Sequence, residues 1–330
     1  MQAVALKALY DETGGSTTWI PNNWFQNDSS DNICSFDGIE CDISTGIADN
    51  VTLSEFGISG TIPDEIYLLQ PLWNRLDMSN NNLTGTVSSE ILSCCNETLI
   101  LSNNSLTGPV PNLEQEQLTV IKVDLSGNAF SGEISLEFLR RELSDINTAA
   151  TWSDYLQELL LNDNSLSGEI PTELGSMKSL TFLLLQNNKF DGSLPSEFGN
   201  LRNLRELNVG YNLVEGTLPS ELGQLLNLVN FDISGNGLNG TLPSELGYLQ
   251  SLQELHTGEN QFSGSLPEEL SNLSALQVFN LGANNFEGSI ADNMFDNMKS
   301  LTSFSLSSSE ITGTLPAGLS NLSCKLSHFI

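Results

Sequence analysis

The sequence predicts an α/β solenoid, a stack of short coils that each add one strand to a parallel sheet and a short helical segment on the far side. Three observations predict it. Segments 159–171, 183–195, 207–219, 231–243 and 255–267 follow one another at a fixed interval of 24 residues. Their asparagines, Asn164, Asn188, Asn212, Asn236 and Asn260, keep the same register. The shared pattern is apolar-x-apolar-x-x-Asn-x-apolar-x-Gly-x-apolar-Pro, with a single lapse at Thr257.

A period in the twenties with leucines at strand spacing is the signature of a leucine-rich repeat. The expected form is a curved right-handed superhelix with a parallel sheet on its concave side and short helical or 3-10 segments on its convex side. In a strand such as 207–209, Leu207 and Val209 point into the core and Asn208 faces out. The asparagine after each strand turns inward, where its amide bonds backbone groups of the bending chain that would otherwise cost about 1–3 kcal/mol each. The repeat glycines allow tight turning, and the Ile/Leu-Pro that follows suits a second short edge strand. Glu173, Glu197, Glu221, Glu245 and Glu269 each fall two residues after a repeat proline. A carboxylate there suits the first turn of a short helix, so stacking lines them up as a solvated flank. A calcium-collecting ridge is the weaker reading, because no single loop supplies a ligand cage.

The chain divides into an N-terminal cap (1–50), about eleven repeats (51–323) and a tail (324–330). A first coil has no neighbour to cover its core, so an atypical capping unit is required. Residues 3–10 have helical spacing, Trp19 and Trp24 follow in a polar loop, and Cys34 and Cys41 close the segment. A disulfide between them would hold a unit with little core of its own; a metal site would need more thiolates or histidines nearby. The first repeat carries Phe56 where the asparagine belongs, and the next three carry Asn81, Asn104 and Asn128. Cys94 and Cys95 stand at apolar positions and read as buried thiols, with a redox role the weaker alternative. The stretch 135–158 holds 24 residues where the same interval of a regular repeat, 171–182, holds 12, and its apolar residues from Leu136 to Ile146 have helical spacing. It reads as a longer helix on the convex or lateral side, ending in an exposed loop near 147–151, either a partner contact or a tolerated insertion. The last repeats run through Asn284 and Ser309, and Cys324 is left over.

The cap helix, the tryptophans, the segment Cys-Ser-Phe-x-Gly-Ile-x-Cys and the repeat signature Leu-x-Gly-x-Ile/Leu-Pro resemble those of plant-type extracellular leucine-rich repeat proteins. That family includes receptor-kinase ectodomains, receptor-like proteins and secreted inhibitors of cell-wall-degrading enzymes, and related chains occur in algae, including diatoms. The resemblance implies the fold and an extracellular or cell-surface location, and leaves the ligand open.

Bulk composition narrows the partners. With 41 acidic against 11 basic residues, the net charge of −30 repels phosphate backbones and anionic lipid. Nucleic acid and direct membrane binding are therefore not expected; a protein, peptide or glycan ligand and self-association remain. Eight Asn-x-Ser/Thr sites, at Asn27, Asn50, Asn82, Asn96, Asn103, Asn239, Asn272 and Asn321, together favour the secretory route. Residues 1–7 lack the apolar run of a signal peptide and no segment suits a bilayer, so a leader and an anchor are expected outside this sequence, or trimmed ends.

No catalytic, metal or cofactor site is expected. Residues 235–240, Gly-Asn-Gly-Leu-Asn-Gly, match a dinucleotide-binding pattern, but no long helix follows and the glycines belong to the repeat register. His256 and His328 are the only histidines and lack partners for a nucleophile or zinc site. The functional expectation falls on the concave face, where outward strand positions read Asp77, Ile100, Asp124, Leu160, Leu184, Asn208, Asp232, His256 and Asn280, flanked by Phe182, Gln186, Glu206 and Tyr211. Leu160, Phe182 and Leu184 would make an exposed apolar patch with Tyr211 at its edge, the kind of surface on which partners dock, unless the insertion or a glycan covers it. The leading reading is a non-catalytic recognition domain of a cell-surface receptor or adhesion protein. A structural protein of a cell wall or matrix and a secreted enzyme inhibitor are the alternatives. Ice binding through the Thr/Ser-x-Gly-x-Thr/Ser edge is disfavoured because Asp191, Glu215 and Glu287 interrupt the hydroxyl array.

Overall fold

Each coil begins where the apolar-x-apolar pattern begins. In this computed structural model the strands Phe182–Leu184, Glu206–Asn208, Asn230–Asp232, Glu254–His256 and Val278–Asn280 each bury their middle side chain and leave the two beside it half-buried. The structure describes residues 2–15, 18–19, 24–25, 32–69, 73–111, 120–135, 155–321 and 325–326. They form two compact units, residues 1–166 and 167–330.

The first unit opens on an α-helix, Gln2–Glu12, that buries Ala5, Leu6, Leu9 and Tyr10. The tryptophans expected in a polar loop instead form the cap's own core. Trp24 is fully buried and stacks on Phe36, and Trp19 sits edge-on to both Tyr10 and Trp24. Burial is tolerable because each indole N–H finds an acceptor: Trp19 Nε1 donates to Thr13 O and Trp24 Nε1 to Asp37 O. Phe56 packs edge-on to Trp19, so the first coil spends its asparagine position on contact with the cap. The Cys34–Cys41 disulfide is present. Strand Ile39–Cys41 pairs antiparallel with Ala48–Thr52, and parallel coils follow through Trp73–Asp77, Cys95–Ile100, Lys122–Asp124 and Glu158–Leu160. Cys95 is buried, as expected of an apolar position. The side chain of Cys94, the core of the expected insertion (136–154) and Cys324 lie outside the described residues, as do Asn27 and His328.

The second unit runs through the five strands above to Ser303–Ser305 and Lys325–Leu326, all parallel in register. Behind them, 3-10 segments such as Ser196–Asn200, Ser220–Gln224 and Ser244–Tyr248 carry a glutamate in the first turn. Not all of the glutamate row is solvated, however, since Glu173 is buried. A glycine stands two residues after Glu173, Glu197, Glu221 and Glu245. A Cβ at Gly223 would stand 2.5 Å from Glu245 O, and Gly175, Gly199 and Gly247 meet the next coil's glutamate in the same way. The bare backbone lets successive coils approach closely. The second short strands Glu215–Thr217, Gly237–Gly240, Gln261–Gly264 and Asn285–Gly288 run through the repeat glycine rather than the Ile/Leu-Pro after it, and the last, Glu310–Ile311, ends before Gly313.

The asparagines tie coil to coil. Asn212 Nδ2 donates to Leu185 O of the preceding coil at 3.0 Å and to Val209 O of its own at 3.1 Å, while its Oδ1 accepts from Phe190 N at 3.0 Å. Asn236, Asn260 and Asn284 repeat this pattern, as do Asn81, Asn104 and Asn128 in the first unit. At Ser309 the amide is gone; its hydroxyl donates to Leu306 O, and a cleft of 230 Å³ opens beside it between Ile290, Leu306 and Ile311. Among the described residues no helix is long and apolar enough to cross a membrane.

Candidate functional site

Alternation about a buried middle residue gives the sheet face of the second unit two outward columns. One runs Phe182, Glu206, Asn230, Glu254, Val278; the other runs Leu184, Asn208, Asp232, His256, Asn280. Neighbours in a column stand about 4.8 Å apart, so side chains on successive coils reach one another.

Where the columns cross the middle coils they form a shallow depression of 80 Å³, lined by Glu206, Asn208, Asn230, Asp232, Glu254 and His256 over the buried Leu207 and Phe231. His256 Nε2 lies 3.4 Å from Glu254 Oε2 on the same strand. Asn208 Oδ1 accepts from Gly210 N at 3.0 Å, and its Nδ2 reaches Asp232 Oδ2 at 3.5 Å. Asp232 Oδ1 accepts from Ser234 N at 2.9 Å and from the Ser234 hydroxyl, which fixes its rotamer. The Glu206 carboxyl titrates above the ordinary glutamate range, first because burial penalises its charge and second because Glu254 repels it; a hydrogen bond with Asn230 opposes both. Among the described residues, no group of three or more His, Cys, Asp or Glu could hold a metal ion.

Of the residues singled out in the sequence, this depression brings together Glu206, Asn208, Asp232 and His256. Tyr211 stands beside it. Tyr211 has a left-handed backbone (φ 54°), uncommon for a bulky residue, and its ring lies over Gly235 of the next coil, where a Cβ would come within 2.6 Å. Tyr211 is 52% exposed, and Leu213, two residues on, is 62% exposed. The expected apolar patch is corrected on this point. Phe182 and Leu184 are half-buried by their neighbours in the columns, as is Leu160 in the first unit, and the apolar surface belongs to Tyr211 and Leu213. Gln186 is also half-buried, with its Oε1 buried and unpaired. Leu160 lies opposite Asp124, next to an ion pair between Lys122 and Glu158 at 2.8 Å. In the same unit Asp77 and Ile100, expected to face solvent, are buried; Asp77 accepts from Arg75 Nη2 at 2.7 Å and from Ser79. Sequence reasoning missed Glu254 and Asn230. The signal was available, because a strand with a buried middle residue shows both flanking residues, and only one flank was read as a column.

The surface is acidic, aromatic at one edge, and held by rigid strands. It suits the capture of a polar or cationic group and the stacking of an apolar one. A family model described as leucine-rich repeat region matches residues 153–328, and one described as leucine rich repeat matches residues 73–94. A receptor protein-tyrosine kinase, CEPR1 of Arabidopsis thaliana, is 32% identical over 119 residues, covering 35% of this chain and 12% of that protein. Two solved Arabidopsis structures are similar over 97% of this chain. One is the leucine-rich repeat ectodomain of the membrane receptor kinase GASSHO1/SCHENGEN3 in complex with CASPARIAN STRIP INTEGRITY FACTOR 2, at 29% identity and a TM-score of 0.84. The other is the receptor kinase HAESA with the peptide hormone IDA and the co-receptor SERK1, at 28% identity and a TM-score of 0.78. The chain spans 37% and 51% of those two chains.

Proposed function

Because this chain belongs to the leucine-rich repeat family, we propose that it is a non-catalytic extracellular recognition domain that docks a protein or peptide on the sheet face of its second unit. The observation that carries this reading is the likeness, across nearly the whole chain, to receptor-kinase ectodomains solved with bound partners, one of them a peptide hormone. The local geometry supports it. The depression is far smaller than the roughly 300–1,000 Å³ of small-molecule pockets, so it suits the tip of a partner's side chain better than an enclosed substrate. Its lining holds no serine, threonine, cysteine or lysine that His256 could activate. Docking on hydrogen-bonded strands needs little backbone change. The acidic lining favours partners that present lysine or arginine, and Tyr211 offers an exposed aromatic face beside it.

Selection of displayed random peptides against the purified chain tests the reading. Enriched peptides should be basic and should lose binding to Tyr211→Ala and Asp232→Lys variants that remain folded. Peptides that bind both variants as well as the parent would refute the assignment of the face. Light scattering bears on the alternative, a self-assembling matrix component, which requires polymers where the docking reading requires monomers.

A further inference from the structure

Six glycosylation triplets have described asparagine side chains, and the fold sorts them into two groups. Asn50 Nδ2 donates to Glu40 Oε2 at 3.0 Å. Asn103 is exposed like the second group, but its Nδ2 donates to Asn80 Oδ1 at 3.0 Å and a Cβ on Gly127 would come within 2.4 Å of its Oδ1. Asn96 is half-buried and has an interaction partner. Asn82, Asn239 and Asn272 are exposed. Asn82 and Asn239 lie on second strands in which the adjacent Leu83 and Leu238 are buried, so alternation turns both asparagines outward. Asn272 ends the segment Glu268–Asn272 between the buried Ser271 and Leu273.

A transferred sugar replaces one hydrogen on Nδ2 with a bulky polar group. Transfer precedes folding, so every triplet is offered, and folding then selects among them. Where the amide emerges into solvent, the coil closes as before. Where Nδ2 lies 3.0 Å from a neighbour, the sugar must displace that neighbour, and molecules so modified fold less well and are depleted from the secreted pool. We propose that Asn82, Asn239 and Asn272 carry N-linked glycans, and that on the second unit the sugars at Asn239 and Asn272 screen the second strands and the helical side while the long-sheet face stays bare. That face carries Asn208, Asn230 and Asn280, but Gly210, Asp232 and Gly282 stand where a hydroxyl would be needed. Sugars in these places would direct partners to the depression around Asp232. This inference rests on the extracellular reading of the chain.

The test is to secrete the full chain from insect cells, release glycans enzymatically in heavy-oxygen water, and map the labelled asparagines by mass spectrometry. Near-complete labelling is expected at Asn82, Asn239 and Asn272, with several-fold lower occupancy at Asn50, Asn96 and Asn103. Bare Asn82, Asn239 and Asn272, or equal labelling at all six, would overturn it. Variants Thr84→Ala, Thr241→Ala and Ser274→Ala remove the triplets without touching the asparagines, and each should cost one glycan in intact mass with secretion retained. An unchanged mass would also overturn the assignment. A fully labelled protein on which no peptide is enriched would refute the docking reading and leave the glycan sites standing; enrichment on a protein bare at all three would do the reverse.

Discussion

Replacing Asn212 with alanine tests what joins the coils. The side chain is 6% exposed and makes four contacts, donating to Leu185 O, Val209 O and Gly210 O and accepting from Phe190 N. The three carbonyls keep other donors in the variant: Asn188 Nδ2 for Leu185 O, Asn236 Nδ2 for Val209 O, and Asn187 N for Gly210 O. The buried Phe190 N–H loses its partner outright. One orphaned buried donor costs about 1–3 kcal/mol, and the weakened carbonyl contacts bring the expected loss to about 2–4 kcal/mol. Urea denaturation, compared at unchanged m-value, reads it directly. Asn208→Ala on the same coil is the control, because that half-buried amide serves mainly its neighbours on the sheet face; its cost should stay below about 1 kcal/mol. Equal costs for the two variants would refute the idea that the inward asparagines lock each coil to the one before.

Three further outcomes follow. Serine at both Cys34 and Cys41 frees an eight-residue loop of the unfolded chain and should cost about 2.5 kcal/mol by loop entropy, read as a lower urea midpoint that reducing agent reproduces in the parent. Gly223→Ala puts a methyl 2.5 Å from Glu245 O, a backbone atom that cannot swing away, so the melting temperature should fall in line with a loss of about 1–3 kcal/mol; Gly237→Ala, whose nearest such contact is 3.4 Å, should change it little. Glu206 is protonated more readily in the folded chain than in the unfolded one, so its contribution to stability is present below the ordinary glutamate pKa and lost as pH rises through its raised folded value. Glu206→Gln should remove that slope from a pH series of denaturation midpoints and leave the variant at least as stable as the parent at neutral pH; an unchanged slope would contradict the burial and Glu254 repulsion assigned to this group.

The fold was legible because its determinants are local and repeated. Leu207 and Val209 declare a strand, Asn212 declares the turn that must be satisfied, and the same triplet of requirements recurs in the next coil. The cap disulfide was legible from two cysteines and the absence of metal-binding neighbours. Features that depend on the neighbouring coil were harder to read. Nothing local to Gly223 shows that Glu245 will press on it, and nothing local to Trp24 shows that Tyr10 and Phe36 will enclose it. The site shares that division. Asp232 and His256 follow from alternation, whereas the half-burial of Phe182 and Leu184 is set by the side chains stacked beside them. The exposure of Tyr211 beside Gly235 depends on which residue the next coil places there.

Hydrogen exchange of the chain with and without a saturating selected peptide is the most direct measurement of the docking face. Slowed exchange should fall on residues 206–211, 230–235 and 254–258, with the second strands at 215–217 and 237–240 unaffected. Protection confined to those second strands, or to the helical segments at 220–224 and 244–248, would contradict the assignment.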